Sequence, residues 1–289
     1  MQIVTDSGTD AQLVADGLEE LNVHVVPLIV TLGDAAFREG VDIKPAAFYR
    51  LLEESETLPV TSQPSAGDFA AVYRRLAVDD PDILSIHISS GLSGTLNSAQ
   101  AAVQQVPEAN VTLVDTKTLS APAGWQVVAA ARTVRAGWPL ERVLALLDRI
   151  RAATDAVYTL KDLTYLIHGG RISHMKGLLA SMLNIKPIIG VEKERGTYVQ
   201  LGQARAFSRA VRGVVDQMAR QHPPGSALRV QVLYANDPEA GAMLREAVDE
   251  RFHCTWLPMG TLSLVLGAHT GPTMVGVGYA PEATFADVP

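Results

Sequence analysis

Short apolar runs alternate with helical patterns along the first half of this sequence. Four of these runs are apolar and rich in β-branched residues, as buried strands are: Gln2–Thr5, Val23–Leu32, Ile83–Ile88 and Val111–Val114. Strands that alternate with helices form parallel sheets covered on both faces. We therefore predict an α/β fold in which a mainly parallel sheet is covered by helices.

The stretches between these strands have apolar residues at helical spacing. They predict helices at 11–21, 44–54, 66–76 and 121–135, and one that begins at 96. The segment PVTSQPS at 59–65 differs, because its two prolines predict a rigid turn that carries hydroxyl groups.

From Pro139 onward the chain has a second set of strands and helices. The predicted helices are 140–151, 163–167, 175–183 (capped by Ser173), 205–219 and 238–250. The predicted strands are 155–160, 185–191, 198–201, 228–234, 255–257 and 274–278. Because this set can form a core of its own, we predict two α/β domains, residues 1–153 and residues 154–289.

A loop of hydroxyl residues and glycines, SSGLSGT at 89–95, joins a predicted strand to a helix. This arrangement points backbone N–H groups and the positive end of a helix dipole at an anion. Gly91 and Gly94 allow a ligand to approach the backbone, and Ser93 and Thr95 add hydroxyl groups. The alternative is a plain connection in which Ser93 or Thr95 caps the helix.

Known phosphate and nucleophile motifs do not fit this loop. No lysine follows Gly94, as a Walker A loop requires, and the dinucleotide pattern GxGxxG is missing. A nucleophile elbow needs G-x-S-x-G, and after Ser93 the second glycine stands one place early. The loop therefore predicts an anion-binding cradle with no assigned reaction.

Polar residues follow three of the predicted strands: Asp6 and Ser7, the loop 89–95, and the segment Asp115–Thr118. The carboxyl ends of parallel strands meet at one edge of a sheet, where ligands bind in such folds. We expect these residues to surround one site, although each alone also fits a cap or a turn.

The composition excludes several classes of function. The 24 Lys and Arg against 31 Asp and Glu give a net charge of −7, which disfavours a general nucleic-acid surface. The single cysteine, Cys254, excludes an internal disulfide, and no pair of histidines has metal-ligand spacing. We expect no metal and no cofactor. No apolar run reaches the roughly 20 residues of a membrane span. A strand pattern follows Met1 directly, so we expect no signal peptide and a cytoplasmic location.

Two residues of the second half are candidates for a site. Arg171 follows two glycines, where its guanidinium can fork onto a carboxylate or phosphate, or bond the last carbonyls of the preceding helix. His269 is the only histidine of the predicted irregular loop 267–272. It is either a packed residue or a ligand-binding one.

Five segments together resemble the DegV family of bacterial fatty-acid-binding proteins. They are IVTDSGTD at 3–10, TSQPS at 61–65, SSGLSGT at 89–95, GGRIS at 169–173 with LNIKP at 183–187, and GAHTGP at 267–272. The resemblance spans nearly the whole chain. It implies two α/β domains with a fatty-acid carboxylate at their interface and a buried acyl tail.

The resemblance also implies a role for individual residues. Thr61 and Ser93 bond the carboxylate, His269 approaches from the second domain, and Arg171 faces a partner. The full predicted ligand-binding set is Thr61, Ser62, Ser93, Gly94, Thr95 and His269. The expected partners are a long-chain fatty acid and a separate ATP-dependent fatty acid kinase subunit, which makes the acyl-phosphate. Transient contact with a membrane surface is compatible with this role.

Two other classes of function remain open from the sequence. A serine hydrolase or acyltransferase would use Ser93 as nucleophile and His269 as base, with Asp115 to orient the histidine. A phosphoryl-transfer enzyme is disfavoured by the missing P-loop lysine and by the lack of a clustered acidic metal site.

Overall fold

The computed structural model describes residues 1–15, 17–172 and 185–289, which form two large β-sheets with helices and a third, small sheet. The predicted helix 175–183 and its cap Ser173 lie outside the described residues. No helix among those described combines the length and the apolar character needed to cross a membrane. The predicted α/β fold is confirmed.

The secondary structure is numbered in chain order. The strands are β1 (Gln2–Asp6), β2 (Val23–Val26), β3 (Ile29–Leu32), β4 (Ala35–Arg38), β5 (Val60–Ser62), β6 (Asp82–His87), β7 (Asn110–Asp115), β8 (Asp155–Thr159), β9 (Lys186–Val191), β10 (Tyr198–Ala204), β11 (Ala227–Tyr234), β12 (His253–Trp256), β13 (Gly260–Thr261) and β14 (Val275–Pro281). The described helices are α1 (Pro45–Glu54), α2 (Ala66–Ala77), α3 (Thr95–Val103), α4 (Ser120–Arg135), α5 (Leu140–Ala153), α6 (Thr164–His168), α7 (Phe207–Gln221), α8 (Pro238–Asp249) and α9 (Leu264–Thr270).

A parallel sheet of four strands, in the order β2-β1-β6-β7, forms the centre of the first half. Ile3 packs with residues of α4 and α5, whereas Val4 packs with residues of α2 and α3. Successive strand residues point to opposite faces, so the two faces are covered by different helices. This agrees with the predicted parallel sheet covered by helices.

Two of the predicted elements in the first half are wrong. The single strand predicted at 23–32 is two strands in different sheets, because Pro27 interrupts it and lacks the N–H that a ladder needs. The helix predicted at 11–21 is two short 3₁₀ turns, Ala11–Leu13 and Leu18–Leu21. Gly17, with φ of 68°, takes the left-handed conformation just before the second turn.

A small antiparallel sheet, in the order β4-β3-β5, extends from the first half towards the second. Its strand β5 lies inside the segment 59–65 that the prolines predicted to be a turn. Pro59 and Pro64 flank this strand, so it has only three residues. Within this strand, Thr61 pairs with Val30 of β3.

The sheet of the second half follows the order β10-β9-β8-β14-β11-β12, with β13 also paired to β11. Its neighbouring strands are antiparallel, except that β12 and β13 run parallel to β11. Helices α7 and α8 cover one face. On the other face lies a buried apolar cluster, here called the interface cluster, which includes Leu28 and Ile88 from the first half and Tyr158, Ile189 and Leu233 from the second. We propose residue 153 as the boundary between the domains, because α5 ends there and the second sheet begins just after it.

A buried glutamine also joins the two halves. Gln231 on β11 is fully buried, and its Oε1 accepts a hydrogen bond of 2.9 Å from Trp125 Nε1 on α4. Its Nε2 donates bonds of 2.9 Å to the carbonyls of Leu13 and Pro258. One side chain therefore satisfies three polar groups from different parts of the chain.

Replacing this glutamine tests how much its three hydrogen bonds contribute to stability. We expect Gln231→Ala to lower the free energy of unfolding by about 3 kcal/mol, because it leaves buried partners unsatisfied at about 1–3 kcal/mol each. Gln104→Ala, at an exposed position after α3, is the control and should change little. Denaturant unfolding of the three proteins measures this. If the three proteins were equally stable, the hydrogen bonds of Gln231 would not contribute to stability.

Candidate functional site

Thr61 marks the meeting point of the two halves. It lies in β5, at the edge of the small sheet. Its Oγ1 is 2.7 Å from His269 Nε2, a hydrogen bond between residues 208 positions apart in the chain. Ser62 follows on the exposed side of the same strand.

The hydroxyl loop 89–95 places the Ser93 hydroxyl at the start of helix α3. Helix α3 begins at Thr95 with Gly94 as its N-cap, so neither Ser93 nor Thr95 is the N-cap. Ser93 Oγ accepts a bond of 3.3 Å from the Thr95 backbone N–H and lies 2.8 Å from Thr95 Oγ1. The serine hydroxyl therefore stands at the positive end of the α3 dipole.

The loop is held against the turn between β9 and β10. Ser89 Oγ donates a bond of 2.8 Å to the Gly196 carbonyl. A Cβ added at Gly91 would lie 2.3 Å from the Arg195 carbonyl oxygen, and one added at Gly196 would lie 1.9 Å from Ser89 Oγ. Glycine at these positions is required by close packing between the two halves.

Asp6 is hydrogen-bonded to the residues just before the loop and does not line the pocket. Its Oδ2 accepts a bond of 3.1 Å from the Ile88 backbone N–H and lies 2.9 Å from His87 Nδ1. His87 Nε2 in turn lies 2.8 Å from Ser85 Oγ. Although Ser85, His87 and Asp6 form a chain like a catalytic triad, all three are fully buried, so the chain fixes the end of β6 and offers no surface to a substrate.

His269 lies in helix α9, and the irregular loop predicted at 267–272 is wrong. The helix runs from Leu264 to Thr270 and ends at Gly271, where φ is 76°. The His269 side chain is 8% exposed, and its Nδ1 has no hydrogen-bond partner among the described residues. A Cβ on Gly169 would lie 2.2 Å from this nitrogen, so only glycine leaves room for the ring.

The environment keeps His269 neutral. Burial, followed by the positive charge of Arg171 and by His168, lowers the pKa of His269 to about 4. A neutral imidazole bonds the Thr61 hydroxyl in either tautomer. The effect of Arg171 on this pKa also means that the arginine's charge reaches the site.

Arg171 makes one of the two contacts that the sequence left open, the bond to a carbonyl at the end of the preceding helix. Its Nη1 donates a bond of 2.6 Å to the carbonyl of Gly169, just after α6. Its side chain also lines the same pocket as Thr61 and His269. The guanidinium is thus held by the Gly169 carbonyl in a residue that lines the pocket.

These residues line one pocket, whose lining includes both polar and apolar residues. The polar lining residues are Thr61, Ser62, Gln63, Ser93, Arg171 and His269. The apolar ones, all belonging to the interface cluster or packed against it, are Leu28, Ile88, Leu92, Leu119, Tyr198, Val265 and Leu266. The cavity between them measures about 30 Å³, which is room for roughly one water molecule.

The structure brings most of the predicted site residues together. Five of the predicted residues line the pocket: Thr61, Ser62, Ser93, Arg171 and His269. Gly94 and Thr95 stand behind Ser93 at the start of α3. Gln63 was missed, although it belongs to the TSQPS segment, and its amide would lie 2.9 Å from a Cβ on Gly94. The apolar lining residues gave no sequence signal that separates them from ordinary core.

The described residues do not form the triad of a serine hydrolase. His269 Nε2 bonds Thr61, while the Ser93 hydroxyl bonds Thr95. Asp115 accepts bonds from Ser90 and from the Lys117 backbone, and these outweigh burial and lower the pKa of Asp115. No carboxylate of the described residues orients the His269 ring.

A larger groove of about 680 Å³ lies elsewhere, beside the last turn of α4. It is lined by Arg132 and Arg135 together with Glu20 and the C-terminal residue Pro289. The two arginines sit where basic residues favour the helix dipole. This groove has mixed charge and no set of converging hydroxyl groups, so we assign the site to the smaller pocket.

The fold and the site define a two-domain α/β protein with a pocket lined by residues of both halves. The family model described as "Uncharacterised protein, DegV family" matches residues 1–282. This chain belongs to the DegV family.

Relatives match over nearly their whole length. A DegV domain-containing protein of Deinococcus radiodurans is 34% identical over 283 residues, 97% of this chain and 96% of that protein. A solved structure describes fatty acid binding of a DegV family protein from Thermus thermophilus; it has a TM-score of 0.87 and 34% identity, and the match covers 97% of this chain and 99% of that one. The stearic acid-binding protein of Eubacterium ventriosum has a TM-score of 0.80 and 25% identity, over 98% of this chain and 99% of that one.

The neutral state of His269 predicts a pH dependence of stability. The unfolded chain binds a proton at this residue near its ordinary pKa of 6.5, while the folded protein does so only near 4. Folded protein therefore loses stability as the pH falls from about 6.5 to 4, by about 1.4 kcal/mol per pKa unit and about 3 kcal/mol in all. Above pH 6.5 this effect is absent.

His269→Gln should remove this part of the acid sensitivity. Between pH 7 and pH 4, the free energy of unfolding of the variant should fall by about 3 kcal/mol less than that of the parent protein. His253→Gln, at an exposed position, is the control and should keep the parent's pH dependence. If all three proteins lost stability equally, His269 would not be held neutral.

Proposed function

We propose that this protein binds a long-chain fatty acid, with the carboxylate at the polar end of the pocket and the acyl chain among the residues of the interface cluster. The observation that carries the proposal is that Thr61, Ser93, Arg171 and His269 line the same pocket as apolar residues of the interface cluster, with Thr61 bonded to His269. The Thermus thermophilus and Eubacterium ventriosum relatives, which bind fatty acid and stearic acid, support it.

The polar end offers what a buried carboxylate needs. An ionised carboxylate leaves water only when hydrogen bonds replace its hydration. Thr61 and Ser93 supply hydroxyl donors to the carboxylate, while Arg171, whose charge acts on His269, is left free for the partner. The α3 dipole adds a favourable field at Ser93.

The apolar end accounts for the acyl chain. Each CH₂ group that leaves water for this environment contributes about 0.8 kcal/mol. Since the cavity measures about 30 Å³, a long chain enters only by moving side chains of the interface cluster apart. Aliphatic residues such as Leu92, Val265 and Leu266 suit this, because they re-pack around a chain without leaving polar groups unsatisfied.

We further propose that the protein works in the cytoplasm as a carrier without catalytic activity of its own. It presents the bound fatty acid to a separate ATP-dependent kinase subunit, which makes the acyl-phosphate. Support comes from membership of the DegV family and from Arg171, which is partly exposed at the polar end of the pocket. An always-charged guanidinium suits contact with a partner or with a phosphoryl group.

The first test is whether the protein carries a fatty acid. We expect native mass spectrometry of purified protein, or of protein mixed with stearic acid, to show one fatty acid per chain. Thr61→Ala and Ser93→Ala should each weaken stearic acid binding by roughly 10- to 100-fold, because each removes one hydrogen bond to a charged group.

Two controls sharpen this test. Ser98→Ala removes a hydroxyl from the same helix α3 outside the pocket lining and should leave binding unchanged. Stearyl alcohol, which has the same tail without the carboxylate, should bind all these proteins alike. If no fatty acid bound, the proposed function would be wrong; if both variants bound stearic acid normally, the carboxylate would sit elsewhere.

Arg171→Ala separates binding from presentation. We expect the variant to bind stearic acid within about threefold of the parent, because the hydroxyl donors remain, while kinase-dependent acyl-phosphate formation falls at least roughly tenfold. Arg209→Ala, an exposed arginine on α7, is the control. Binding and turnover are measured on the same preparations. An equal loss of both would make Arg171 a carboxylate ligand, and no loss of either would leave it as a helix cap.

A further inference from the structure

A buried carboxylate, Glu39, connects the two halves next to the site. Its side chain follows β4, and the residue is 8% exposed. Its Oε2 accepts bonds of 2.7 Å from Ser7 Oγ, at the end of β1, and of 2.7 Å from Ser263 Oγ, just before α9. Its Oε1 accepts a bond from the Leu264 backbone N–H.

These bonds hold the start of the helix that carries His269. Helix α9 has only seven residues, and the Leu264 N–H is one of the first-turn groups that a helix leaves without an internal partner. His269 lies five residues further on, or about 7.5 Å along the axis. A shift or tilt at the start of so short a helix therefore moves the imidazole.

The rest of α9 is closely packed, so a shift at its start cannot be taken up by bending further along the helix. A Cβ on Gly267 would lie 2.1 Å from Tyr49 Oη of α1, and one on Gly271 would lie 2.5 Å from the Tyr165 ring. With the His269 ring against Gly169, the helix touches its neighbours along its length. The helix therefore moves as a rigid body.

We propose that Glu39 is a positioning residue for the carboxylate site: by holding the start of α9 against the first half, it keeps His269 within bonding distance of Thr61. The proposal rests on the proposed function, because the effect is measured on fatty-acid binding. Glu39 is not among the residues that line the pocket.

The choice of a carboxylate fits this role. Burial raises the pKa of Glu39, and three hydrogen bonds, from Ser7, Ser263 and Leu264, act in the opposite direction. A buried carboxyl group contributes little net stability compared with apolar packing. Its bonds are directional, however, and they fix the register of two elements from different parts of the chain.

The test compares Glu39→Ala, Glu39→Gln and the control Glu282→Gln, with stearic acid and stearyl alcohol as probes. Glu282 is a half-buried carboxylate outside the pocket. We expect Glu39→Ala to weaken stearic acid binding roughly tenfold and stearyl alcohol binding less than twofold, because only the acid uses the His269 end. Glu39→Gln should retain most of the affinity, since its amide oxygen still accepts from Leu264 and its NH₂ donates to the serine hydroxyls.

A second background shows whether Glu39 acts through His269. In a His269→Ala protein, Glu39→Ala should cause no further loss of stearic acid binding. Equal losses for acid and alcohol, or the same loss in both backgrounds, would overturn the proposal and leave Glu39 as a general stabilising residue. If Glu39→Ala did not fold, Ser263→Ala, which removes one of the three bonds, would take its place.

A ligand-free measurement separates this proposal from the proposed function. If the parent protein bound no fatty acid, the proposed function would fail, and the nitrogen chemical shifts of the His269 ring would still report the position of α9. We expect them to move in Glu39→Ala and not in Glu282→Gln. Unchanged shifts in both would overturn the positioning role.

Discussion

The arrangement around the pocket depends on hydrogen bonds that polar groups buried between the two halves make with one another. A buried donor or acceptor without a partner costs about 1–3 kcal/mol. Glu39 is the partner of Ser7, Ser263 and the start of α9, and Gln231 is the partner of Trp125. Because each of these bonds joins distant parts of the chain, satisfying them fixes how the domains face each other. The contact between Thr61 and His269 follows from that arrangement.

The same arrangement sets the electrostatics of the site. Burial between the domains would disfavour any charge, yet Arg171 stays beside the pocket with Nη1 bonded to the Gly169 carbonyl. Burial and Arg171 together keep His269 neutral, so the site holds one positive charge and several neutral donors. Under the proposed function, the neutral donors bond the carboxylate and the arginine charge remains available to a partner.

The apolar end works by a different principle. The interface cluster fills the space between the sheets so closely that a cavity of about 30 Å³ remains. Its close packing stabilises the joined domains, and an acyl chain would replace those contacts with equivalent ones. Dispersion and hydrophobic contacts are not directional, so this exchange is easier than breaking hydrogen bonds. Under the proposed function, specificity for the head group comes from the polar lining residues and tolerance towards the tail from the apolar ones.

Local patterns in the sequence determined the alternation of strands and helices and the hydroxyl loop at 89–95, because hydrophobic period, glycine and proline act over a few residues. The five segments that resemble the DegV family also located Thr61, Ser93, Arg171 and His269. Only the tertiary structure decided that Asp6 is fully buried while Ser93 lines the pocket. It also decided that Glu39 bonds the start of the helix that carries His269. These roles depend on burial and on contacts between residues as far as 225 positions apart, which no local pattern encodes.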